Sequence, residues 1–269
     1  LHSERTFFGV HRVLRDVETG FHELHHGRTM HGMQNTEPSR RHEPLAYFHR
    51  SGPLGQVFDE FSGENAKSRI GVVGLGTGTM VAYREPGQHF TFYEIDPSIK
   101  RIAESPHLFT YLSDSGRDAY DIVVGDGRLM LARAKDKSFG MIILDAFSSD
   151  VIPVHLLTRE ALELYYRKLS DDGFLVIHIS NPHVSLGPVL GNLAADAGSR
   201  CWICRDQFVP TGLQESGREP TLYAVIAREK AHLGQLLDIK SDLPWIEITP
   251  DEPEAAWTDD FSDVFNILK

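Results

Sequence analysis

The chain has 269 residues, 41% of them hydrophobic, which is enough for one large domain or one domain with a small companion. Its formal net charge of −11 argues against a nucleic-acid partner, because phosphate binding needs clustered Lys and Arg. The longest apolar runs, such as 70–73 and 141–144, are too short to cross a bilayer, and no signal peptide is visible.

The N-terminal segment has the alternation of a small β-layer over residues 6–34. "TFFGVHRVLRD" is strand-like, "VETG" is a turn, and "FHELHHG" and "RTMHGMQ" follow as further strands. Residues 35–68 predict a loop and then a helix, with the helical part in "PLAYFHRSGPLGQVFDEF". We therefore expect an N-terminal β-strand domain over 1–50 and a second domain over 51–269.

Eight of the 14 histidines lie in residues 1–49, and "HELHHG" raises the question of a metal site. Imidazole is a common zinc ligand, but His22 and His26 share one face of a strand while His25 points the other way. No cysteine or tight carboxylate set joins them. The pattern favours an ordinary polar β-surface, and we expect no metal.

From Ile70 onward the sequence alternates strands with helical patterns, which is typical of a doubly wound, mostly parallel sheet. The last two strands are joined by a Pro/Gly-rich loop without a helix, which predicts an antiparallel strand at that end. The tail "WTDDFSDVFNILK" is expected to lie over the sheet. The seven predicted strands are 70–74, 89–94, 120–124, 139–144, 173–179, 201–208 and 221–227.

The two cysteines, Cys201 and Cys204, form the pair "CWIC" within a predicted strand. Residues three apart on a strand point to opposite faces, so this pair cannot easily close on itself. A structural role and a reduced, cytoplasmic compartment fit this pattern best.

The first four strands of the alternating region each end in residues suited to ligand binding. They are followed by Gly74-x-Gly76-x-Gly78, by Glu94 with Asp96, by "GDG" at 125–127, and by "LDAFSSD" with Asp145 and Asp150. Parallel strands place their carboxyl ends on the same edge of a sheet, where ligands bind near the point of reversed strand order. The sequence therefore predicts one site built from four strand ends.

The spacing of the glycines distinguishes between ligands. A nicotinamide dinucleotide requires G-x-G-x-x-G, whereas this loop is G-x-G-x-G, with Thr79 at the third dinucleotide position. The loop and the following acid resemble the nucleoside-binding loop of S-adenosylmethionine-dependent methyltransferase-like domains. That resemblance implies that Glu94 holds the ribose hydroxyls and Asp126 the adenine amino group. Gly74, Gly76, Thr77, Gly78, Ile95 and Gly127 complete this predicted cofactor site.

Over most of its length the chain resembles spermidine synthases, the polyamine aminopropyltransferases. The motifs are the small β-domain, "GMQ" at 32–34, "EPLAYFHRSG" at 43–52, "GLGTGT", "YEID", "VGDGR" and "LDAFSSDVIP". "PLAYFHRSGPLGQVF" and "WTDDFSDVF" are similar to the bacterial branch in which this domain follows a transporter-like membrane segment. A membrane segment before Leu1 and a cytosolic location are therefore expected.

The resemblance implies a role for each matching position. Gln34 would contact the nucleoside or the substrate channel, and Tyr47 would line the amine pocket. Asp145 matches the aspartate that acts on the attacking amine, with Tyr47 as its catalytic partner. His49 and Asp150 are expected substrate contacts, although "DAFSSD" is longer than the family's "DSSD". The implied reaction transfers an aminopropyl group from decarboxylated S-adenosylmethionine to a putrescine-like amine and releases methylthioadenosine, in a homodimer or larger oligomer.

Three departures from the family pattern keep other functions open. Thr77 replaces an aspartate that pairs with the amine of the decarboxylated donor, Phe48 and His49 replace an amide or imidazole followed by a glutamate, and the aspartate stretch is expanded. One alternative is an enzyme on intact S-adenosylmethionine that acts as a lyase or cyclase, or transfers an aminocarboxypropyl or methyl group. The other is a non-catalytic module that senses a nucleoside.

Overall fold

The computed structural model describes residues 1–146, 153–249, 255–264 and 267–269, which form two sheets. The smaller sheet is antiparallel, with four strands in sequential order. A turn at Phe7 and Phe8 divides "TFFGVHRVLRD", which the sequence predicts as one strand beginning at residue 6. Gly9, with φ +141°, permits this tight reversal. The strands are β1 (His2–Thr6), β2 (Gly9–Arg15), β3 (Phe21–His26) and β4 (Thr29–Asn35).

The larger sheet has eight strands in the order β12-β10-β11-β9-β8-β5-β6-β7. Strands β5 to β9 pair in parallel, whereas β11 runs antiparallel to both β9 and β10. The strands are β5 (Arg69–Val73), β6 (His89–Glu94), β7 (Tyr120–Val124), β8 (Phe139–Leu144), β9 (Leu169–His178), β10 (Arg200–Asp206), β11 (Thr221–Ala227) and β12 (Trp245–Glu247).

This topology confirms the predicted methyltransferase-like α/β fold with a mostly parallel sheet and an antiparallel strand at one end. The structure adds an eighth strand, β12, which pairs antiparallel to β10 and which the sequence pattern did not predict. Strand β5 lies between β6 and β8, so the strand order reverses there. A crevice at the carboxyl edge of β5 is the expected ligand position in such a sheet.

The helices are shorter than the sequence predicts. The helix expected in "PLAYFHRSGPLGQVFDEF" begins only at Pro53, because 45–51 forms turns. Between β5 and β6 the chain makes a single 3₁₀ segment, Thr79–Tyr83, instead of an α-helix. The α-helices are α1 (Pro53–Glu60), α2 (Pro97–Ala103), α3 (Tyr111–Ser115), α4 (Gly127–Ala132), α5 (Arg159–Lys168), α6 (Leu186–Asp196) and α7 (Thr211–Glu215).

Both faces of the large sheet are buried, because alternate residues of each strand pack into two separate cores. On β8, Met141 and Ile143 face one core, while Ile142 and Leu144 face the other. No helix within the described ranges has the length and apolar content needed to cross a bilayer.

The cysteines and the C-terminal tail follow this two-sided packing. Cys201 and Cys204 are buried free thiols in different cores, which confirms that the pair does not close into a disulfide. In the tail, Trp257 and Ile267 pack into the same core as Cys201, as expected of a segment that lies over the sheet.

Candidate active site

A cavity of about 260 Å³ lies at the carboxyl edge of β5, β6, β7 and β8, and the small sheet lines its other side. The structure thus brings together the four strand ends that the sequence singles out. From the small sheet and the segment after it come Phe8, His11, Leu24, His26, His31 and Tyr47. From the large sheet come residues such as Gly74, Gly76, Glu94, Ile95, Asp126, Gly127 and Asp145.

The glycine loop allows the ends of β5 and β8 to approach one another closely. Gly74 has φ +102°, and a Cβ atom at this position would lie 2.4 Å from the carbonyl oxygen of Asp145. A side chain at Gly74 would therefore push the Asp145 backbone away from the loop. Gly76 also lines the cavity, and a Cβ atom at this position would lie 3.0 Å from the carbonyl oxygen of His31.

Glu94 at the end of β6 presents a buried, oriented carboxylate to the cavity. Its oxygens accept hydrogen bonds from the backbone N–H groups of Leu75, at 3.0 Å, and Asp96, at 2.8 Å. Burial raises the pKa of Glu94 to about 7, although the hydrogen bonds from the two backbone amides oppose that rise. The group can therefore accept hydrogen bonds from a ligand and changes its charge near neutral pH.

Asp126 follows β7 and caps the N-terminus of α4. Its Oδ1 accepts a 2.8 Å hydrogen bond from the N–H of Leu129, and its Oδ2 lies 3.1 Å from Nε2 of His155. Gly127 packs tightly on β5, since an added Cβ would lie 2.4 Å from Cγ1 of Val73. Both residues line the cavity, together with His155.

Asp145 at the end of β8 has a side chain that is only 10% exposed, and it pairs with a histidine that the sequence pattern did not identify. Its Oδ1 lies 2.7 Å from Nδ1 of His178, at the end of β9. Burial raises the pKa of Asp145, and the hydrogen bond from His178 opposes that rise. Tyr47 stacks on the same imidazole at 4.6 Å between ring centroids. Desolvation, with a smaller contribution from Asp145, raises the pKa of Tyr47, so its hydroxyl stays protonated.

Four predicted site residues do not line this cavity. The amide of Gln34 donates to the carbonyl of Arg41 and bonds to Thr110, joining the small sheet to the large one. Thr77 is fully buried, with its Oγ1 2.6 Å from Oγ1 of Thr79. Gly78 lies against Leu112, and His49 pairs with Ser51 outside the cavity. Asp150 lies outside the described residues.

Three histidines of the small sheet line the cavity and were missed as site residues. His11 and His26 are direct cross-strand neighbours on β2 and β3, with ring centroids 4.9 Å apart, and His31 lies 5.6 Å from His26. Burial and the nearby His11 lower the pKa of His26, so this ring is neutral at pH 7. The pairing of His11 with His26 across β2 and β3 could have indicated this cluster. Recognising that pairing from the sequence requires knowledge of the hairpin register.

Within the described ranges, no group of three or more His, Cys, Asp or Glu side chains is arranged to hold a metal ion. His22 instead uses Nδ1 to contact the carbonyl oxygen of Leu108 at 2.8 Å, and His25 pairs with Glu23 at 2.7 Å. His22 therefore joins the small sheet to the segment that contains Leu108, and His25 forms an ion pair with Glu23 within the small sheet.

No protein-family model matches the chain. A curated relative, the polyamine aminopropyltransferase of Vibrio vulnificus, is 37% identical over 113 residues, covering 40% of this chain and 36% of that protein. The match thus spans little more than a third of the relative's length.

Several solved structures share this fold. A probable spermidine synthase from Corynebacterium glutamicum has a TM-score of 0.70 at 16% identity, with 97% of both chains covered. Spermidine synthase from Thermotoga maritima gives 0.59 at 16% identity, covering 85% of this chain and 72% of that one. A spermidine synthase bound to the transition-state analogue AdoDATO gives 0.63 at 14% identity, covering 85% and 73%. These likenesses confirm the predicted resemblance to spermidine synthases in fold and in one stretch of sequence.

Proposed function

We propose that the protein is an aminopropyltransferase that uses decarboxylated S-adenosylmethionine and a small, putrescine-like amine. One observation carries this proposal: the largely buried carboxylate of Asp145 lies in the same cavity as Glu94 and Asp126. Glu94 would bind the ribose hydroxyls and Asp126 the adenine amino group, with Ile95 and Gly127 beside them. The sulfonium would then lie near Gly74 and Gly76, within reach of Asp145.

The proposed reaction needs a proton acceptor at the amine. One proton of the acceptor ammonium passes to Asp145, and the freed nitrogen lone pair attacks the methylene carbon next to sulfur. A carbon–nitrogen bond forms as the carbon–sulfur bond breaks, and its electron pair neutralises the sulfonium, releasing methylthioadenosine. Burial favours proton uptake, because it raises the pKa of Asp145. Tyr47 offers a ring face to the cationic substrates, and holding both partners in line supplies further acceleration.

The region over 1–50 would serve in this proposal as the cover of the site, and 51–269 as the catalytic domain. From the family resemblance we also propose a preceding membrane segment, a dimeric or larger assembly, and contact of Asp150 with the amine. The predicted contact of His49 with the amine is not proposed, because His49 lies outside the cavity and pairs with Ser51.

A second candidate is an enzyme that acts on intact S-adenosylmethionine, by elimination, cyclisation, or aminocarboxypropyl or methyl transfer. It is favoured by the environment of Thr77, which is fully buried and bonded to Thr79. The described loop therefore presents no carboxylate that would anchor the amine of the decarboxylated donor or repel the carboxylate of the intact one.

Product analysis tests the proposal. The protein is incubated with each donor, with and without putrescine, and the products are identified by mass spectrometry. Methylthioadenosine formed only from the decarboxylated donor with amine supports the aminopropyltransferase. Methylthioadenosine from the intact donor alone would refute it in favour of a lyase, and S-adenosylhomocysteine would indicate methyl transfer. Binding without any product would identify a sensing module.

Asp145→Asn is the matched control for this assay. The amide keeps the shape of the side chain but cannot take a proton, so we expect turnover to fall by about 10²–10⁴-fold. Binding of methylthioadenosine should be nearly unchanged, because the nucleoside contacts are elsewhere. Full activity in this variant would remove Asp145 from the mechanism.

A further inference from the structure

His178 lies at the end of β9, between two tyrosine rings and beside Asp145. Its ring centroid is 4.6 Å from that of Tyr47 and 4.8 Å from that of Tyr223, with interplanar angles of 27° and 18°. We propose that His178 is a positioning residue that holds the Asp145 carboxylate in the orientation needed to take the proton of the acceptor amine. This inference rests on the proposed function.

A chain of hydrogen bonds sets the direction in which His178 donates. The backbone N–H of Leu222 donates to Oγ of Ser180 at 2.8 Å, and the same oxygen lies 2.8 Å from Nε2 of His178 and 3.2 Å from Oγ1 of Thr221. An ionised carboxylate only accepts hydrogen bonds, so Nδ1–H of His178 donates to Oδ1 of Asp145 at 2.7 Å. The carboxylate therefore assigns a proton to Nδ1 and leaves Nε2 to the hydroxyl groups of Ser180 and Thr221.

Packing prevents the imidazole from leaving this arrangement. The side chains of His178 and Asp145 are 6% and 10% exposed, and Tyr223 is fully buried. Stacking on both faces restricts rotation of the ring, while Thr221 closes its Nε2 edge at 3.2 Å. Among the described residues, the titratable groups that face the pair are Tyr47 and Tyr223, and burial raises the pKa of both phenols. Neither tyrosine therefore changes its charge near neutral pH.

The pairing with His178 gives the two carboxylate oxygens of Asp145 different roles. Oδ1 is held by His178, and the described part of the chain offers no hydrogen-bond partner to Oδ2. Because Asp145 lines the cavity, Oδ2 is the oxygen available to an acceptor amine. In the proposed step the amine proton moves to Oδ2, while His178 keeps its own proton throughout.

Two substitutions separate the hydrogen bond from the packing. His178→Phe keeps a ring between Tyr47 and Tyr223 but removes the donor, and His178→Asn restores an N–H near the position of Nδ1. For His178→Phe we expect kcat to fall about 10²-fold and the acid limb of kcat to move up by about one pH unit. That shift follows because the pKa of Asp145 rises further without the donor. The donor KM should stay within twofold, since Glu94 and Asp126 are intact, and His178→Asn should recover most of both effects.

The acceptor amine ionises in the same way in assays of every variant. A difference between the pH profiles of two variants therefore reports on ionisation of the protein, here of Asp145. A wild-type kcat and acid limb in His178→Phe would overturn the proposal. Equal losses in the two variants would also overturn it, because they would show a packing role instead of a donor role. Ser180→Ala provides a milder change that removes one of the two hydroxyl groups beside Nε2, and we expect it to lower kcat by less than tenfold.

A readout without substrate separates this inference from the proposed reaction. In ¹⁵N-histidine-labelled protein, the His178 resonances, identified by their loss in His178→Phe, should show the Nδ1–H tautomer at neutral pH. The Nε2–H tautomer would overturn the inference whatever reaction the enzyme performs. If the Nδ1–H tautomer is found but no transfer occurs with decarboxylated donor and amine, the proposed function fails while the pairing stands.

Discussion

Glu94 shows how the cavity controls the ionisation of a single residue. The residue is 7% exposed, and desolvation raises the pKa of its carboxyl group to about 7 despite hydrogen bonds from the backbone N–H groups of Asp96 and Leu75. Ribose hydroxyls donate to a carboxylate more strongly than to a neutral acid, so a bound nucleoside favours the ionised form. Ligand binding at this residue is therefore linked to the release of a proton.

This linkage predicts that methylthioadenosine binds more tightly as the pH rises through about 7. A carboxyl with a pKa of about 7 is mostly protonated at pH 6, so the Kd should be about tenfold weaker there than at pH 8. Calorimetry in buffers of different ionisation enthalpy measures both the Kd and the proton released. Glu94→Gln should bind more weakly at every pH with no slope between pH 6 and 8, and a pH-independent wild type would contradict the linkage.

At the scale of residues, the sequence predicts side chains that end strands and misses those placed by strand pairing. Glu94, Asp126 and Asp145 could be found because parallel strands bring their carboxyl ends to one edge. His178 also ends a strand, but its pairing with Asp145 depends on β9 lying beside β8, which the sequence does not specify. His26 reaches the cavity only because the whole small sheet lies over it.

The loop after β5 is the element on which the geometry of the site depends most directly. Gly74 has positive φ, and its Cα lies against the backbone of Asp145, so it tolerates no side chain without moving β5 and β8 apart. Gly87 has a similar φ, +88°, but nothing lies within 4 Å of a Cβ built there. Substitutions at these two positions therefore separate the cost of backbone strain, present at both, from the cost of a steric clash, present only at Gly74.

We predict that Gly74→Ala lowers the free energy of unfolding by about 2–4 kcal/mol, from strain at positive φ and from overpacking against Asp145. Gly87→Ala should cost only about 1 kcal/mol, because it adds strain without a clash. Urea denaturation measures both values, and turnover should fall in Gly74→Ala alone. Equal destabilisation in the two variants would show that the contact between Gly74 and Asp145 does not constrain the loop.

At the scale of elements, the strands were more predictable than the helices. The predicted strands 89–94, 120–124, 139–144 and 221–227 have the observed bounds, because each is a short run rich in apolar residues with clear ends. The segment after the glycine loop forms only the 3₁₀ segment Thr79–Tyr83. Strand β12 has three residues, too few for a pattern to be recognised.

At the scale of the whole molecule, the cavity is covered only while the small sheet stays attached to the large one. Asp96, at the start of α2, accepts hydrogen bonds from Thr6 at 2.6 Å and from His11 at 2.8 Å. Glu4 pairs with Arg101 farther along the same helix. Side chains of the small sheet therefore hold it over the end of β6, where it covers the cavity. The sequence predicted both sheets but could not predict this contact, which joins residues about 90 positions apart.

We predict that His11→Ala loosens the small sheet selectively. The variant removes the hydrogen bond to the Asp96 carboxylate, whose side chain is 3% exposed, and this should lower the free energy that holds the small sheet in place by about 1.5–3 kcal/mol. Because local opening has its own free energy, amide hydrogen exchange in β1 and β2 should accelerate about 10–100-fold, while β5 and β8 stay protected. His25→Ala is the matched control, since His25 lies on the same sheet and pairs with Glu23 away from this contact. If exchange accelerates equally in both sheets, the small sheet does not open independently, and the cavity cannot be uncovered by releasing this contact alone.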